Sequence, residues 1–249
     1  MNTAAPHQAS PPMASLRVRL VVVAKAPVAG QAKTRLVPAL GLAGAARLAE
    51  GLLADAFERV TALQALARQA AMAAKVGSGP VPVLTVELCA TPRPTDPAWA
   101  PFLPAGVDWD LSYQGQGDLG DRMGRASLRA IANGCAVLLV GTDCPLLSPG
   151  LMWQAVCQLA HHDAVLIPAA DGGYVLLGLR QHANSVFTDM PWSTNAVACQ
   201  TLARLHKQGC TVWQGPTLPD VDEPADLVHL PALLTAHLST QLPVRQLDC

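Results

Sequence analysis

Three observations predict an α/β fold built on a single doubly wound, mostly parallel sheet with helices on both faces. Short apolar, β-branched runs alternate along the chain with alanine- and leucine-rich segments of helical length. Two of those runs, Leu20-Val21-Val22-Val23-Ala24 and Cys135-Ala136-Val137-Leu138-Leu139-Val140, are apolar throughout, as strands covered on both faces are. The chain of 249 residues is 51% hydrophobic and only 14% charged, against roughly 25% charged residues in an average domain, so a large core is easily filled. The length suits one domain, expected over residues 16–249. Residues 1–15 carry Pro6, Pro11 and Pro12 and lack the apolar centre of a secretory signal, which predicts a disordered tail.

The elements follow in order. The run at Leu20–Ala24 is the first strand, and a Gly/Pro loop from Lys25 to Arg35 leaves it. Residues 42–74 place Leu48, Leu52, Ala56, Val60 and Leu63 near helical spacing, predicting one long helix or two shorter ones. Val81–Leu88 reads as a strand with Pro82 near its start, where proline is tolerated. A proline-rich loop, a short strand over Val107–Tyr113, a glycine loop at Gln114–Gly120 and a helix over Arg122–Ala132 lead to the run at Cys135–Val140. Ser148-Pro149 is an N-cap followed by proline at the first helical position. Ala164–Ile167 and Tyr174–Leu177 are strands separated by Asp171-Gly172-Gly173; a helix over Asn195–Lys207 and a strand near Thr211–Trp213 follow, and Asp222 is the expected cap of a last helix.

Composition excludes several functions. A net charge of -1 gives no basic face for nucleic acid. No apolar run approaches the roughly 18 residues of a membrane span. Seven cysteines, none spaced Cys-x-x-Cys, argue against a disulfide framework and for a reducing cytoplasm. His161-His162 lacks metal-ligand spacing, and neither a Gly-x-Ser-x-Gly elbow nor a Gly-x-Gly-x-x-Gly after the first strand is present.

Five segments carry chemistry. Gly141-Thr142-Asp143-Cys144-Pro145 places a lone acid where a buried strand emerges, and ligands of open α/β sheets bind outside those carboxyl ends. The plain alternative is a turn-capping Asp. The loop after the first strand sets Lys25, Lys33 and Arg35 around Gly30 and Thr34. Lysine point charges, a bidentate arginine and loop N–H groups suit a polyphosphate, although Ala32 stands where a P-loop needs glycine. Gln114–Met123, with Gly115, Gly117, Asp118 and Gly120, is either a close-approach loop at a ligand or a connector ending in a capped helix. Asp171-Gly172-Gly173-Tyr174 is either a hairpin turn or a glycine floor under a sugar or base. Asp220-Val221-Asp222 ends the series: Asp143 and Asp222 together could share a hard cation, since Mg²⁺ takes one or two carboxylates plus waters and phosphate oxygens.

In this order, Ala24–Pro27 with Gly30–Leu36, Gly117–Met123, Gly141–Pro145, Asp171–Tyr174, Pro191-Trp192-Ser193-Thr194 and Asp220–Asp222 resemble a bacterial family related to nucleotide-diphospho-sugar transferases. That family comprises uncharacterised glycosyltransferases, some linked to arsenosugar biosynthesis. More distantly, the stretches are similar to the guanylyltransferases of molybdopterin and phospholactate. The resemblance implies a GT-A-type fold. It implies phosphate contacts from Lys25, Gly30, Lys33, Thr34, Arg35, Gly117 and Asp118, with Lys25, Arg35 and Asp143 catalytic. It implies Mg²⁺ or Mn²⁺ on Asp143 and Asp222, and a substrate side formed by Asp171, Gly172, Gly173, Trp192, Ser193 and Thr194. One departure is plain: Gly-Thr-Asp stands where many glycosyltransferases carry Asp-x-Asp. The expected activity is glycosyl transfer from a nucleotide sugar to a small-molecule acceptor. The alternatives are nucleotidyl transfer from a nucleoside triphosphate, or a nucleotide-binding module without turnover.

Overall fold

A computed structural model describes residues 15–74, 79–103, 108–231 and 234. The expected tail, residues 1–15, lies outside the described residues except for Ser15. The sheet has seven strands in the order β3-β2-β1-β4-β6-β5-β7: β1 (Arg17–Lys25), β2 (Val83–Thr91), β3 (Trp109–Tyr113), β4 (Ala136–Val140), β5 (Ala164–Pro168), β6 (Tyr174–Leu179) and β7 (Val212–Gln214). All pairings are parallel except those of β6, which runs antiparallel to both β4 and β5. Asp171-Gly172-Gly173 therefore sits in a true hairpin connection.

The helices are α1 (Val37–Ala73), α2 (Leu119–Ala132), α3 (Pro149–Gln158) and α4 (Val197–Lys207). Side-chain alternation along the strands assigns them to faces. Leu20, Val22, Leu138 and Val140 share one core with Leu53, Val60 and Leu63 of α1 and Met152, Ala155 and Val156 of α3. Val21, Val137 and Leu139 share the opposite core with Met123, Ala126 and Ala130 of α2 and Ala198 and Leu205 of α4. A third cluster joins Leu36, Leu48 and Leu52 to Val221, which fixes the late segment Asp220–Asp222 against the start of α1.

Gly41, at φ 69 and ψ 170, interrupts α1, so the continuous helix begins at Leu42. One helix among the described residues, Thr34–Ala73, is long and apolar enough to cross a membrane by length and composition. Its stripe of Leu48, Leu52, Ala56, Val60 and Leu63 is buried in the protein's own core. Of the two alternatives that the sequence pattern left open over residues 42–74, the single long helix is the one formed.

Two local expectations change. The capping box before the last short helix (Pro224–His229) is made by Glu223 with Asp226, not by Asp222; the Asp222 side chain is engaged elsewhere. In the glycine loop, Asp118 and Asp121 make a reciprocal capping box that starts α2, three residues before the expected start.

Candidate active site

The carboxyl ends of the parallel strands and the β5–β6 hairpin share one edge of the sheet, and there the singled-out segments meet. The centre is Lys33. Its Nζ donates to Asp143 Oδ1 at 2.8 Å, Asp222 Oδ1 at 2.7 Å and the Val221 carbonyl at 2.6 Å. The lysine side chain is 8% exposed, whereas the two carboxylates are 44% and 39% exposed. Burial alone would lower the Lys33 pKa; the charges of Asp143 and Asp222 outweigh it and hold the ammonium above its usual value. The Lys33 backbone is left-handed, at φ 49 and ψ 43, an uncommon conformation for a residue with a side chain. It delivers the ammonium inward just before the short helix Thr34–Leu36 begins.

Main-chain contacts hold the two acids in register. Val221 N–H donates to the Asp143 carbonyl at 2.9 Å. The Cys144 thiol donates to the Pro219 carbonyl at 3.3 Å, and burial pushes its pKa up to about 11, so it stays protonated as a donor. Arg59, buried in α1, donates to the carbonyls of Cys144 and Leu147 at 3.0 Å each and pairs with Asp55 at 2.7 Å. The strand end that carries Asp143 is thereby tied to the long helix.

Two cavities flank this centre. The first, of about 340 Å³, is lined by Lys25, Gln31, Lys33, Thr34, Arg35, Gln114, Arg122, Thr142 and both acids. Gln114 is buried and donates from Nε2 to the carbonyls of Ala24 at 2.7 Å and Cys89 at 2.9 Å, which fixes the ends of β1 and β2. The second, of about 320 Å³, is lined on its apolar side by Val23, Met123, Leu139, Tyr174 and Trp192, and on its polar side by Asp171, Asp220, Ser193 and Thr194. Burial and the neighbouring charge of Asp171 push the Asp220 carboxyl up to about 6. Burial also raises the Tyr174 phenol, whose hydroxyl faces Met123 Sδ at 3.9 Å.

The acids fit a hard divalent cation. The Oδ1 atoms of Asp143 and Asp222 meet at the Lys33 ammonium, and among the described residues their Oδ2 atoms have no hydrogen-bond partner and are the oxygens that would face such an ion. Among the described residues no group of three His, Cys, Asp or Glu is arranged to hold a metal, so phosphate oxygens and water would complete the shell of a Mg²⁺ or Mn²⁺ ion.

The crystal structure of a protein from Desulfovibrio desulfuricans G20, provisionally assigned as a nucleotide-diphospho-sugar transferase, superposes with a TM-score of 0.74 at 26% identity, covering 90% of this chain and 94% of that one. The fold is that of the nucleotide-diphospho-sugar transferases. The 4-diphosphocytidyl-2C-methyl-D-erythritol synthase of Anaerococcus prevotii DSM 20548 shares this fold at a TM-score of 0.52 and 11% identity, covering 89% of this chain and 99% of that one. Residues 78–194 match the family described as "Uncharacterized protein conserved in bacteria (DUF2064)". No curated protein matches the chain.

Within this transferase fold the expected residues separate into groups. Lys25, Thr34 and Arg35 line the first cavity with Lys33, although the Lys33 ammonium is taken by the two acids. Gly30, at φ 74, shapes the turn and lines neither cavity, and Gly117 and Asp118 serve the start of α2 instead. Asp171, Gly173, Trp192, Ser193 and Thr194 line the second cavity. Gly172 lies behind it, where a Cβ would come within 2.2 Å of the Asn195 carbonyl oxygen. Sequence reasoning missed Arg122, Gln114, Tyr174 and Asp220 as lining residues, although all four lie in segments it had singled out. It also missed Arg59. The available signal was a cation seven residues after Leu52, on the apolar stripe of a helix.

Proposed function

We propose that the protein is a metal-dependent transferase acting on a nucleotide-activated substrate, with glycosyl transfer from a nucleotide sugar to a small-molecule acceptor as the favoured reaction. One observation carries this reading: a cavity walled by Lys25, Arg35 and Arg122 opens onto the paired carboxylates Asp143 and Asp222 at the strand ends. Cations on one side and hard oxygen ligands on the other suit a diphosphate and its divalent ion. The provisional assignment of the Desulfovibrio protein supports the same class.

In the proposed reaction the bond from the anomeric carbon to the diphosphate oxygen breaks, and its electron pair leaves with the nucleoside diphosphate. The acceptor oxygen forms the new bond to that carbon and gives its proton to a carboxylate or water. Lys25 and Arg35 bind the leaving phosphates. Asp143 and Asp222 would hold the divalent cation, which when bound supplies positive charge where negative charge develops. The same cavity suits nucleotidyl transfer, in which pyrophosphate leaves.

A thermal-shift screen of nucleoside diphosphates, triphosphates and nucleotide sugars, with and without Mg²⁺ or Mn²⁺, tests the reading. A ligand at a hundredfold its Kd adds about 2.7 kcal/mol. A nucleotide sugar should stabilise the protein only with metal, and Asp143→Asn should abolish that dependence while leaving the unliganded melting temperature within a few degrees. Stabilisation by a triphosphate alone, with pyrophosphate release, would assign nucleotidyl transfer. Binding indifferent to metal and to Asp143→Asn, without product, would leave a nucleotide-binding module.

A further inference from the structure

The two cavities differ in charge as well as in place. The first holds Lys25, Arg35 and Arg122 beside its acids. The second presents Asp143, Asp171, Asp220 and Asp222 against, among the described residues, a single lining cation, Arg35. Arg35 also lines the first cavity and faces Glu223 at 3.7 Å, so it is not dedicated to the second. The rest of the second wall is largely apolar, from Val23, Met123, Leu139, Tyr174 and Trp192.

We propose that the second cavity is the acceptor site, and that the acceptor is a non-anionic hydroxyl compound with an apolar body rather than a phosphate ester. This rests on the transferase reading above. The argument is one of charge balance. Asp143 and Asp222 are already paired with Lys33, and the charge of a divalent cation held beside them is matched by the donor's phosphates. Among the described residues, Asp171 and Asp220 then face the second cavity without an ion-pair partner. A phosphate ester entering there would meet like charge at short range, from the solvent-exposed Asp171 and more strongly from the half-buried Asp220. A hydroxyl compound loses nothing by it: carboxylates accept its O–H, and the apolar wall covers its body. The volume, about 320 Å³, admits a molecule of the size of a small aromatic alcohol.

A matched series tests the inference: 4-nitrobenzyl alcohol, 4-nitrobenzyl phosphate and 4-nitrobenzylamine, which share one aryl body and differ in charge. Saturation-transfer NMR on the full chain with Mg²⁺ reads their binding. The alcohol and the amine should bind, and the phosphate should bind at least about tenfold more weakly, a difference of 1.4 kcal/mol. Thr194→Trp, at the exposed rim of this cavity, should abolish the alcohol signal. Asp171→Lys should raise phosphate binding and lower amine binding, with Asp171→Asn showing the same trend should the lysine variant fail to fold. Phosphate binding as tight as the alcohol's in the unaltered protein would overturn the proposal, as would no binding by any of the three.

UDP and GDP, measured by thermal shift in the same samples, separate the two readings. Nucleotide binding together with a preference for the phosphate probe sinks the acceptor inference alone. Alcohol binding at this cavity without nucleotide binding sinks the transferase reading, and with it the cavity's role as an acceptor site.

Discussion

At the scale of single residues, Arg59 shows how a buried charge can serve a distant site. Its guanidinium spans from Asp55 on the same helix to two carbonyls that follow Asp143. Removing one partner of such a set leaves buried polar groups unsatisfied, which costs more than the bonds themselves contribute. Arg59→Met keeps most of the side-chain bulk but strands Asp55 and the carbonyls of Cys144 and Leu147. It should cost about 3 kcal/mol, measured by urea unfolding, and should weaken metal-dependent nucleotide stabilisation beyond that loss. Arg59→Lys, retaining one donor group, should recover part of both. An unaltered metal dependence in a folded Arg59→Met protein would show that the arginine serves stability alone.

At the scale of elements, the reversed strand β6 shapes the second cavity. A parallel neighbour would need a crossover of a dozen or more residues, whereas an antiparallel one needs only a hairpin. The β5–β6 turn therefore sets Asp171 and Gly173 on the cavity wall within a few residues. Gly172, at φ 91, is pressed against Asn195 just before α4, and its carbonyl accepts from Ala198 N–H at 2.8 Å. The turn and the start of α4 are thus one packed unit. Gly120 does the same for α2: a Cβ there would meet the Phe187 carbonyl oxygen at 2.1 Å and Trp192 Nε1 at 2.8 Å. The loop carrying Trp192 can lie against α2 only because that position lacks a side chain.

Across the whole molecule, charge is buried on the opposite wing of the sheet as well. Glu87 on β2, 1% exposed, accepts from Arg129 of α2, from Ser112 of β3 at 2.6 Å and from Arg19 of β1 at 3.1 Å. Burial alone would raise its pKa, but these donors outweigh it and hold the carboxyl below its usual value. A folded-state pKa below the unfolded one adds stability above the unfolded value, about 4.3. That stability is lost as pH falls through the folded value. Urea midpoints should therefore fall more steeply below about pH 4.3 in the unaltered protein than in Glu87→Gln, which should itself be about 3 kcal/mol less stable at pH 7. Parallel slopes would remove Glu87 from the acid response.

Much of this architecture was legible in the sequence. The runs at Leu20–Ala24 and Cys135–Val140 announce central parallel strands because both of their faces must be covered. Direction was legible for Tyr174–Leu179 only as one of two alternatives, since the Asp171-Gly172-Gly173 turn signal allowed a hairpin while the apolar run itself reads the same in either sense. Asp143 and Asp222 could be paired from their places at strand ends, but the insertion of Lys33 between them could not. It depends on a left-handed backbone at Lys33 and on Val221 packing beneath α1, contacts between parts of the chain 188 residues apart.

That ammonium has a consequence for how the protein comes into being. Two carboxylates gathered at one point repel each other unless something positive lies between them, and many ion-binding proteins borrow that charge from solution, so that chelators unfold them. Here the chain brings its own. Refolding in EDTA should reach the same melting temperature as refolding in Mg²⁺ without nucleotide, and a large drop in EDTA would contradict it. Assembly of this corner is then independent of the ionic supply around it, and the divalent cation of the proposed reaction would be a visitor to a finished structure instead of one of its building materials.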